Sequence, residues 1–141
     1  MILYLDTSAL VPLLVDEPTS PACGELWDSA DSVVGTRLTY IEAVSALAMA
    51  ERMGRITAED VSGGRSVLDE LWPAVGVVEI DRDLMSDAAR LALAHGLRGY
   101  DATHCAAAVS ANDPEFVAAS GEARLLGAWQ VEGVAVRDTN A

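Results

Sequence analysis

The chain has 141 residues, enough for one domain with its own core, and 51% of them are hydrophobic, which excludes an intrinsically disordered chain. Its formal net charge is −13, and all nine basic residues are arginine. The lack of lysine excludes a Walker A phosphate loop and Schiff-base chemistry, and the acidic balance argues against nucleic-acid binding through a basic surface. Nucleic acid held through a divalent cation stays open, because the cation reverses the local charge.

The predicted elements alternate between short β-rich runs and helices. Strands are predicted, in chain order, at residues 2–5, 32–34, 75–80, 116–119 and 134–136. Helices are predicted between them, at residues 6–15, 19–30, 36–53, 57–72, 81–96, 101–111 and 121–130. Pro12 and the pair Gly63-Gly64 weaken the first and fourth helices.

Strands separated by helices predict a parallel sheet with right-handed crossovers. We therefore expect a three-layer α/β/α domain with a short, mostly parallel sheet of about five strands. No segment has the composition of a linker, so residues 1–141 are predicted to form a single domain.

The cysteines and the apolar segments give expectations about the compartment. Cys23 and Cys105 form no CxxC pair, so neither a disulfide framework nor a thiolate zinc site is predicted, and a reducing, cytoplasmic location is expected. Residues 1–15 lack the basic start of a signal peptide. No run reaches the ~18 apolar residues of a membrane helix, so no membrane partner is expected.

Three acidic residues stand apart from the others. Asp6, Glu42 and Asp101 are each the only charged residue in a long uncharged segment, and Glu122 is a weaker case because Arg124 follows it closely. A carboxylate in apolar surroundings is costly unless it is paired, hydrogen-bonded or bound to a metal. Without lysine, a metal ion is an economical partner for these acids.

Placement and ligand type indicate what such a site would do. Asp6 follows the first predicted strand and Glu122 follows the fourth, and the carboxyl ends of parallel strands form the ligand-binding edge of a sheet. Carboxylate oxygens without His or Cys select Mg²⁺ or Mn²⁺. One or two such ions can activate water for phosphodiester cleavage, so the residues predict a metal-dependent nuclease.

Each of these residues also has a simpler interpretation. Asp6 and Asp101 can be helix N-caps, and Glu42 can lie exposed on an amphipathic helix. For the neighbouring Thr7 and Ser8, N-capping is the preferred role, and for His104 a structural imidazole is preferred to a role in the site. The occurrence of three isolated acids together nevertheless favours one shared site.

The order of three short motifs resembles a known family. Leu5-Asp6-Thr7-Ser8-Ala9-Leu10, then Thr39-Tyr40-Ile41-Glu42, then Leu97-Arg98-Gly99-Tyr100-Asp101-Ala102-Thr103-His104 resemble the motifs of PIN-domain nucleases, especially VapC-type toxins of bacterial toxin–antitoxin pairs. The resemblance covers nearly the whole chain. It implies a PIN-like fold and a Mg²⁺-dependent endoribonuclease, with Mn²⁺ as the alternative ion.

The resemblance also implies roles for individual residues. Asp6 and Asp101 would bind the metal directly, and Glu42 would orient a metal-bound water. The family usually has an Asp after the fourth strand; here Glu122 matches if the segment is aligned on Leu125-Leu126, whereas alignment on Phe116 places Ser120 there. We prefer Glu122 because it keeps an acid at that position, and its role in holding a second metal or a water stays open.

The implied partners are RNA, a second copy of the chain and a VapB-type antitoxin. The antitoxin's C-terminal tail would lie across the acidic site, and the helices near residues 10–15 and 44–53 are candidates for a groove that receives it. A basic tail would complement the net charge of −13. Among the arginines, Arg98 lies nearest to a motif and is a candidate phosphate contact.

The sequence leaves three other functions to compare with the nuclease. A catalytically weak PIN-like protein-binding module is the main alternative, because Glu122 departs from the family's usual Asp. A phosphatase that uses Asp6 as its nucleophile needs a second Asp two residues later, where Ser8 stands. A phosphoacceptor receiver domain needs a lysine, which the chain lacks.

Overall fold

Five parallel strands form one sheet in the computed structural model, which describes residues 1–141. The strands are β1 (Ile2–Leu5), β2 (Ser32–Thr36), β3 (Val75–Val78), β4 (Phe116–Ser120) and β5 (Val136–Asp138), in the order β3-β2-β1-β4-β5. β1 is central, with Ile2 opposite Ser32 on one side and Phe116 on the other. Every pairing is parallel, so the sheet is fully rather than mostly parallel.

Seven helices connect and flank the strands. They are α1 (Thr7–Leu10), α2 (Ser20–Ser29), α3 (Arg37–Arg52), α4 (Ala58–Leu71), α5 (Arg82–His95), α6 (Gly99–Ala111) and α7 (Ala123–Val131). Two short 3₁₀ turns, Val11–Leu13 and Trp72–Ala74, follow α1 and α4. None of these helices combines the length and hydropathy that a bilayer crossing requires.

The alternation of side chains along β1 creates two cores. Leu3 and Leu5 pack with buried residues of α1 to α4, whereas Tyr4 packs on the other face with buried residues of α5, α6 and α7. Successive strand side chains point to opposite faces, so both faces of this central strand are covered. The predicted three-layer α/β/α architecture is confirmed.

Several predicted boundaries differ from the structure. Pro12 has no N–H to continue a helix, and α1 accordingly gives way to a 3₁₀ turn after four residues. The helix predicted to start at Asp101 begins two residues earlier, at Gly99, with Arg98 as its N-cap. The last strand lies at Val136–Asp138 because the turn that ends α7 still includes Gly133, with φ of +85°, and Val134, whose N–H donates to the Trp129 carbonyl at 2.9 Å.

The predicted weakness in α4 is not observed, and packing explains why. Gly63 and Gly64 both lie inside the helix, and Gly64 faces Leu47 of α3 and the carbonyl of Leu14. A Cβ at Gly64 would lie 3.2 Å from that carbonyl oxygen and 3.3 Å from the Leu47 methyl groups. The glycine therefore allows α4 to approach α3 closely, and the contact offsets the low helix propensity.

The cysteines lie in different cores. Cys23 and Cys105 are both buried, and they lie on opposite faces of the sheet. Burial raises the pKa of Cys105 to about 12, so this thiol stays protonated and acts as a small apolar side chain.

Candidate active site

A cleft of about 440 Å³ opens where β1 and β4 end, and all four predicted acids line it. Each acid comes from a different part of the fold: directly after β1, from the second turn of α3, from the first turn of α6, and from the start of α7. In that order they are Asp6, Glu42, Asp101 and Glu122. The structure thus brings together carboxylates that are far apart in the sequence.

Asp6 is the most buried of the four, with 3% of its surface exposed. It caps α1 by accepting a hydrogen bond from the backbone N–H of Ala9 at 3.3 Å. The Ser8 hydroxyl donates to Oδ1 at 2.7 Å and the Ser120 hydroxyl donates to Oδ2 at 3.0 Å. Burial raises the pKa of Asp6 to about 6, although the nearby His104 and these hydroxyls act in the opposite direction. No arginine forms an ion pair with this carboxylate, and its hydrogen-bond donors are two hydroxyls and a backbone N–H.

Asp101 is more open and sits opposite a cation. It occupies the first turn of α6 rather than the N-cap, which is Arg98, so its interpretation as a helix N-cap is wrong. Its carboxylate accepts no protein hydrogen bond, and the Arg98 Nε lies 4.0 Å from its Oδ2. Burial raises the pKa of Asp101, while the Arg98 charge works to lower it.

Glu42 points into the cleft wall instead of away from α3. Its side chain is 22% exposed, and its Oε1 accepts hydrogen bonds from the Thr7 hydroxyl at 2.8 Å and from His104 Nε2 at 2.6 Å. The alternative of an exposed position on an amphipathic helix is therefore wrong. Thr7 holds this carboxylate and does not cap α1.

Ser8 also has a role other than the capping that the sequence favoured. Besides donating to Asp6, its hydroxyl accepts a hydrogen bond from the backbone N–H of Gly121 at 2.8 Å. This pair of contacts ties the residue after β1 to the residue after β4. A larger residue at position 121 would crowd this contact, since a Cβ there would lie 3.0 Å from Asn140 Nδ2 and 3.6 Å from Ser8 Oγ.

Ser120 and Glu122, the two candidates for the fourth acidic position, both lie at the site but differ in burial. Ser120 is fully buried at the end of β4 and donates to Asp6. Glu122 is exposed on the rim at the N-cap of α7, and its backbone N–H donates to the Ser120 Oγ at 2.9 Å. Ser120 thus holds the Asp6 carboxylate by a hydrogen bond within the protein interior, whereas Glu122 places a carboxylate at the solvent-exposed rim of the cleft.

Sequence reasoning missed two supporting contacts. One is the Ser120 bond to Asp6; the other is the bond between the Tyr4 hydroxyl and His104 Nδ1, at 2.7 Å. His104 is 2% exposed and also contacts Glu42, so it belongs to the site rather than only to the core. The signal in the sequence was a tyrosine inside an otherwise aliphatic strand and a serine at a strand end, which are too common to be diagnostic.

The donor set constrains which metal the cleft can take. No three side chains among His, Cys, Asp and Glu converge closely enough to hold an ion by themselves. Two carboxylates with raised pKa values and one distant arginine instead fit a hard divalent cation that keeps part of its water shell. Such a cation would compensate the buried charge of Asp6.

Two arginines line the cleft in this acidic protein. Arg55 and Arg98 both contribute to its wall, and the Arg98 guanidinium lies 5.4 Å from the centre of the Tyr100 ring. Tyr100 itself is 47% exposed. Three others form ion pairs with neighbouring acids elsewhere on the surface, namely Arg37, Arg65 and Arg90.

An apolar groove of about 520 Å³ adjoins the cleft. It lies between the segment after α1 and the second half of α3, in the two regions, residues 10–15 and 44–53, that the sequence offers as candidates for a groove. Met49 is 48% exposed within it. Groove and cleft are continuous because they share four lining residues: Val11, Glu17, Ala46 and Arg55.

The profile of the PIN domain family matches residues 3–122. The chain belongs to the PIN domain family. It is 37% identical over 124 residues to Ribonuclease VapC45 of Mycobacterium tuberculosis (strain CDC 1551 / Oshkosh). The aligned residues make up 88% of this chain and 86% of that protein. PIN-domain ribonucleases generally depend on a divalent metal ion, which agrees with the donor set of the cleft.

Solved structures share the fold of this PIN domain at low sequence identity. FitAcB from Neisseria gonorrhoeae has a TM-score of 0.72 and 19% identity, over 99% of this chain and 98% of that one. A toxin–antitoxin complex from Klebsiella pneumoniae has a TM-score of 0.66 and 14% identity, over 97% of both chains. These likenesses concern the fold, whereas the mycobacterial relative extends the similarity to sequence.

Proposed function

We propose that this PIN domain is a Mg²⁺-dependent endoribonuclease that hydrolyses RNA phosphodiester bonds. The observation that carries the proposal is the buried Asp6 carboxylate, which has no cationic partner and faces a cleft with three further acids. The 37% identity to Ribonuclease VapC45 supports RNA as the substrate.

Asp6 and Asp101 are the proposed direct ligands of Mg²⁺, with Mn²⁺ as the alternative ion, and Glu42 and Glu122 complete the set of catalytic acids. When bound, the ion would activate water and neutralise charge that develops on the phosphate. Both hydrogen bonds that Glu42 accepts from the protein are on Oε1. Its Oε2 is therefore available to accept a proton or to align a water. Glu122, on the rim, can reach the site through a water.

The cleft arginines are the proposed contacts to the RNA strand. Arg55 and Arg98 can each reach a phosphate, and the exposed Tyr100 ring beneath Arg98 offers a face on which a base can stack. With only these two cations in the cleft, the bound divalent ion has to supply much of the attraction for the substrate.

Carboxylate-to-amide variants test the nuclease activity. Asp6→Asn and Asp101→Asn each remove one negative ligand while keeping nearly the same shape. Purified protein is expected to cleave RNA with Mg²⁺ or Mn²⁺ and not with EDTA, and each variant is expected to lose about 100-fold or more of the rate. Asp28→Asn, on the exposed face of α2, is the matched control and should cut like the wild type.

Two results would contradict this function. RNA that stays intact across a broad panel of transfer, ribosomal and messenger RNAs would exclude a general nuclease role. Variants that cut as fast as the wild type would show that the acids are only structural. In either case the protein-binding module would become the preferred function.

The proposed physiological role is that of a toxin held inactive by a VapB-type antitoxin, in the cytoplasm and as a homodimer. The toxin–antitoxin complex from Klebsiella pneumoniae supports this role through its shared fold. The proposed seat of the antitoxin's C-terminal segment is the apolar groove, whose apolar residues would take its hydrophobic side chains. Glu17, shared by groove and cleft, would attract a basic side chain at the point where the segment enters the cleft.

A synthetic amphipathic peptide with arginines on its polar face tests this groove. It is expected to inhibit RNA cleavage by the wild type and to inhibit Met49→Glu less, because a charge in the groove disfavours apolar contacts. Met85→Glu, at an exposed methionine on α5, is the matched control. Equal inhibition of all three proteins would exclude the groove as the binding surface. The mass of the free protein in solution tests the homodimer directly.

A further inference from the structure

A chain of hydrogen bonds runs from the middle of the sheet to the cleft. The Tyr4 hydroxyl, fully buried on β1, lies 2.7 Å from His104 Nδ1, and His104 Nε2 lies 2.6 Å from Glu42 Oε1. The three residues belong to β1, α6 and α3. The ring of Tyr4 is held in turn by edge-on contacts with Trp129 and His104.

The contact with Glu42 fixes the position of one hydrogen in this chain. An ionised Glu42 carboxylate can only accept, so His104 Nε2 carries a hydrogen and donates it. In a neutral imidazole the other nitrogen then accepts, and the Tyr4 O–H is the donor that it meets. A tyrosine hydroxyl carries its proton at neutral pH, so it can donate to the imidazole.

The effect on Glu42 is asymmetric. Its Oε1 accepts from both His104 and Thr7, whereas Oε2 has no hydrogen bond to the protein. A glutamate has several rotatable bonds, and two donors on one oxygen restrict which oxygen faces the cleft. Thr7 fixes this oxygen from the floor of the site and His104 fixes it from the side of the core.

We propose that Tyr4 and His104 are positioning residues that hold Glu42 with Oε2 turned toward the substrate. The inference rests on the proposed nuclease function, in which Glu42 aligns the attacking water. A loosely held carboxylate would sample orientations in which the water is misplaced, and small misplacements of reacting groups lower rates strongly. His104 and Tyr4 themselves do not touch the RNA.

A pair of amide variants at His104 separates positioning from packing. His104→Gln carries an N–H about as far from the backbone as Nε2, so it can still donate to Glu42, whereas the shorter amide of His104→Asn reaches only to the level of Nδ1. Both variants lose the ring from the same buried space. We expect His104→Asn to lower kcat about 10- to 100-fold and His104→Gln to restore much of that loss. KM for RNA should stay within about twofold in both variants, because the side chain at position 104 does not contact RNA in the proposed arrangement.

His95→Gln is the matched control for the imidazole. His95 also donates to a glutamate, Glu132, at 2.9 Å, but on the surface between α5 and α7. The His95→Gln substitution should leave kcat and KM unchanged. Equal losses of kcat in His104→Gln and His104→Asn that follow their losses of thermal stability would overturn the positioning role, as would a rise in KM with kcat unchanged.

Tyr4→Phe removes only the hydroxyl at the far end of the chain. We expect it to lower kcat about 2- to 10-fold, since the imidazole loses one neutral hydrogen bond and can tilt. Tyr40→Phe, which removes an exposed hydroxyl bonded to Asp69, should have no such effect. An unchanged kcat in Tyr4→Phe would remove Tyr4 from the proposal.

Imidazole ¹⁵N chemical shifts test the arrangement without any RNA. They should show a hydrogen on His104 Nε2, with the Nδ1 shift changing in Tyr4→Phe. A ring that carries its only hydrogen on Nδ1 would overturn the proposal even if the enzyme is active. Conversely, the expected shifts in a protein that cuts no RNA would leave this hydrogen-bonded arrangement standing and refute only the nuclease function.

Discussion

The acidic cleft and the surface between α5 and α7 contain the same types of residue, but only on the surface are the acids paired with cationic side chains. On that surface Arg90 pairs with Asp87 at 2.9 Å, and Glu132 accepts from His95 at 2.9 Å. The pKa of Glu132 is lowered, chiefly by its hydrogen bond from His95. In the cleft, burial raises the pKa of Asp6 to about 6, and the hydrogen bonds from the Ser8 and Ser120 hydroxyls offset only part of this effect.

The difference shows what distinguishes a poised acid from a structural one. A surface acid that is already paired with a cationic side chain gains little from binding a metal ion. Such surface pairs also contribute little to stability. A buried acid without a cation is strained electrostatically and gains when a divalent ion binds. This contrast, more than the number of acids, marks the cleft as the functional region.

The largest expected effect concerns activity. Asp101→Asn should reduce RNA cleavage about 100-fold or more, whereas Glu132→Gln, the same chemical change in the paired region, should leave it unchanged. Cleavage rates with saturating Mg²⁺ measure both. A loss of similar size in Glu132→Gln would mean that the contrast between the two regions does not determine function.

Asp6→Asn should make the metal-free protein more stable, by about 2 kcal/mol at pH 7, because the charged form of Asp6 is disfavoured and Asn is also a good N-cap. The folded state binds the Asp6 proton more tightly than the unfolded chain, with a pKa of about 6 against 3.8. Wild-type stability from this group therefore falls as the pH rises from about 4 to about 6.

Urea denaturation in EDTA measures this effect. The advantage of Asp6→Asn should be present at pH 7, shrink as the pH falls toward 4 and vanish below about pH 3, where the wild-type carboxyl is protonated in both states. Added Mg²⁺ should stabilise the wild type and not the variant. A variant that is less stable than the wild type at pH 7 would show that the Asp6 charge is already compensated within the fold.

The next effect separates arginines in the cleft from those paired on the surface. Arg98→Ala should raise KM for RNA about 3- to 10-fold through the loss of a phosphate contact and reduce the salt dependence of binding. Arg37→Ala, which breaks an exposed pair with Glu79, should do neither. Binding of RNA in Ca²⁺, titrated at several salt concentrations, provides the readout. Equal effects of the two variants would point to a general charge effect.

The smallest effect lies in the paired region itself. Glu132→Gln should lower the free energy of unfolding by about 0.5 to 1 kcal/mol at neutral pH, because it weakens the contacts with His95 and Arg90. The lowered pKa of Glu132 places this stabilisation above pH 4.5 and removes it as the pH falls further. A loss of unfolding free energy in Glu132→Gln as large as the gain in Asp6→Asn would contradict the proposed difference between the two regions.

Much of the fold was predictable because its signals are local. The apolar runs marked the first four strands and reached the fifth only at Val136. The Asp81 cap and the left-handed Gly96 mark the two ends of α5. The differences from the structure have two causes: packing against Leu47 keeps Gly64 helical, and the turn that ends α7 still includes Val134.

The sequence by itself determined which acids have no local partner, since Asp6, Glu42 and Asp101 stand alone in uncharged segments. Only the tertiary structure decided what surrounds each of them. The Ser120 contact with Asp6 and the Tyr4 contact with His104 join residues more than 90 positions apart, on neighbouring strands or across layers. Local patterns carry no information about such pairs, because the order of the strands and the register between them bring the side chains together.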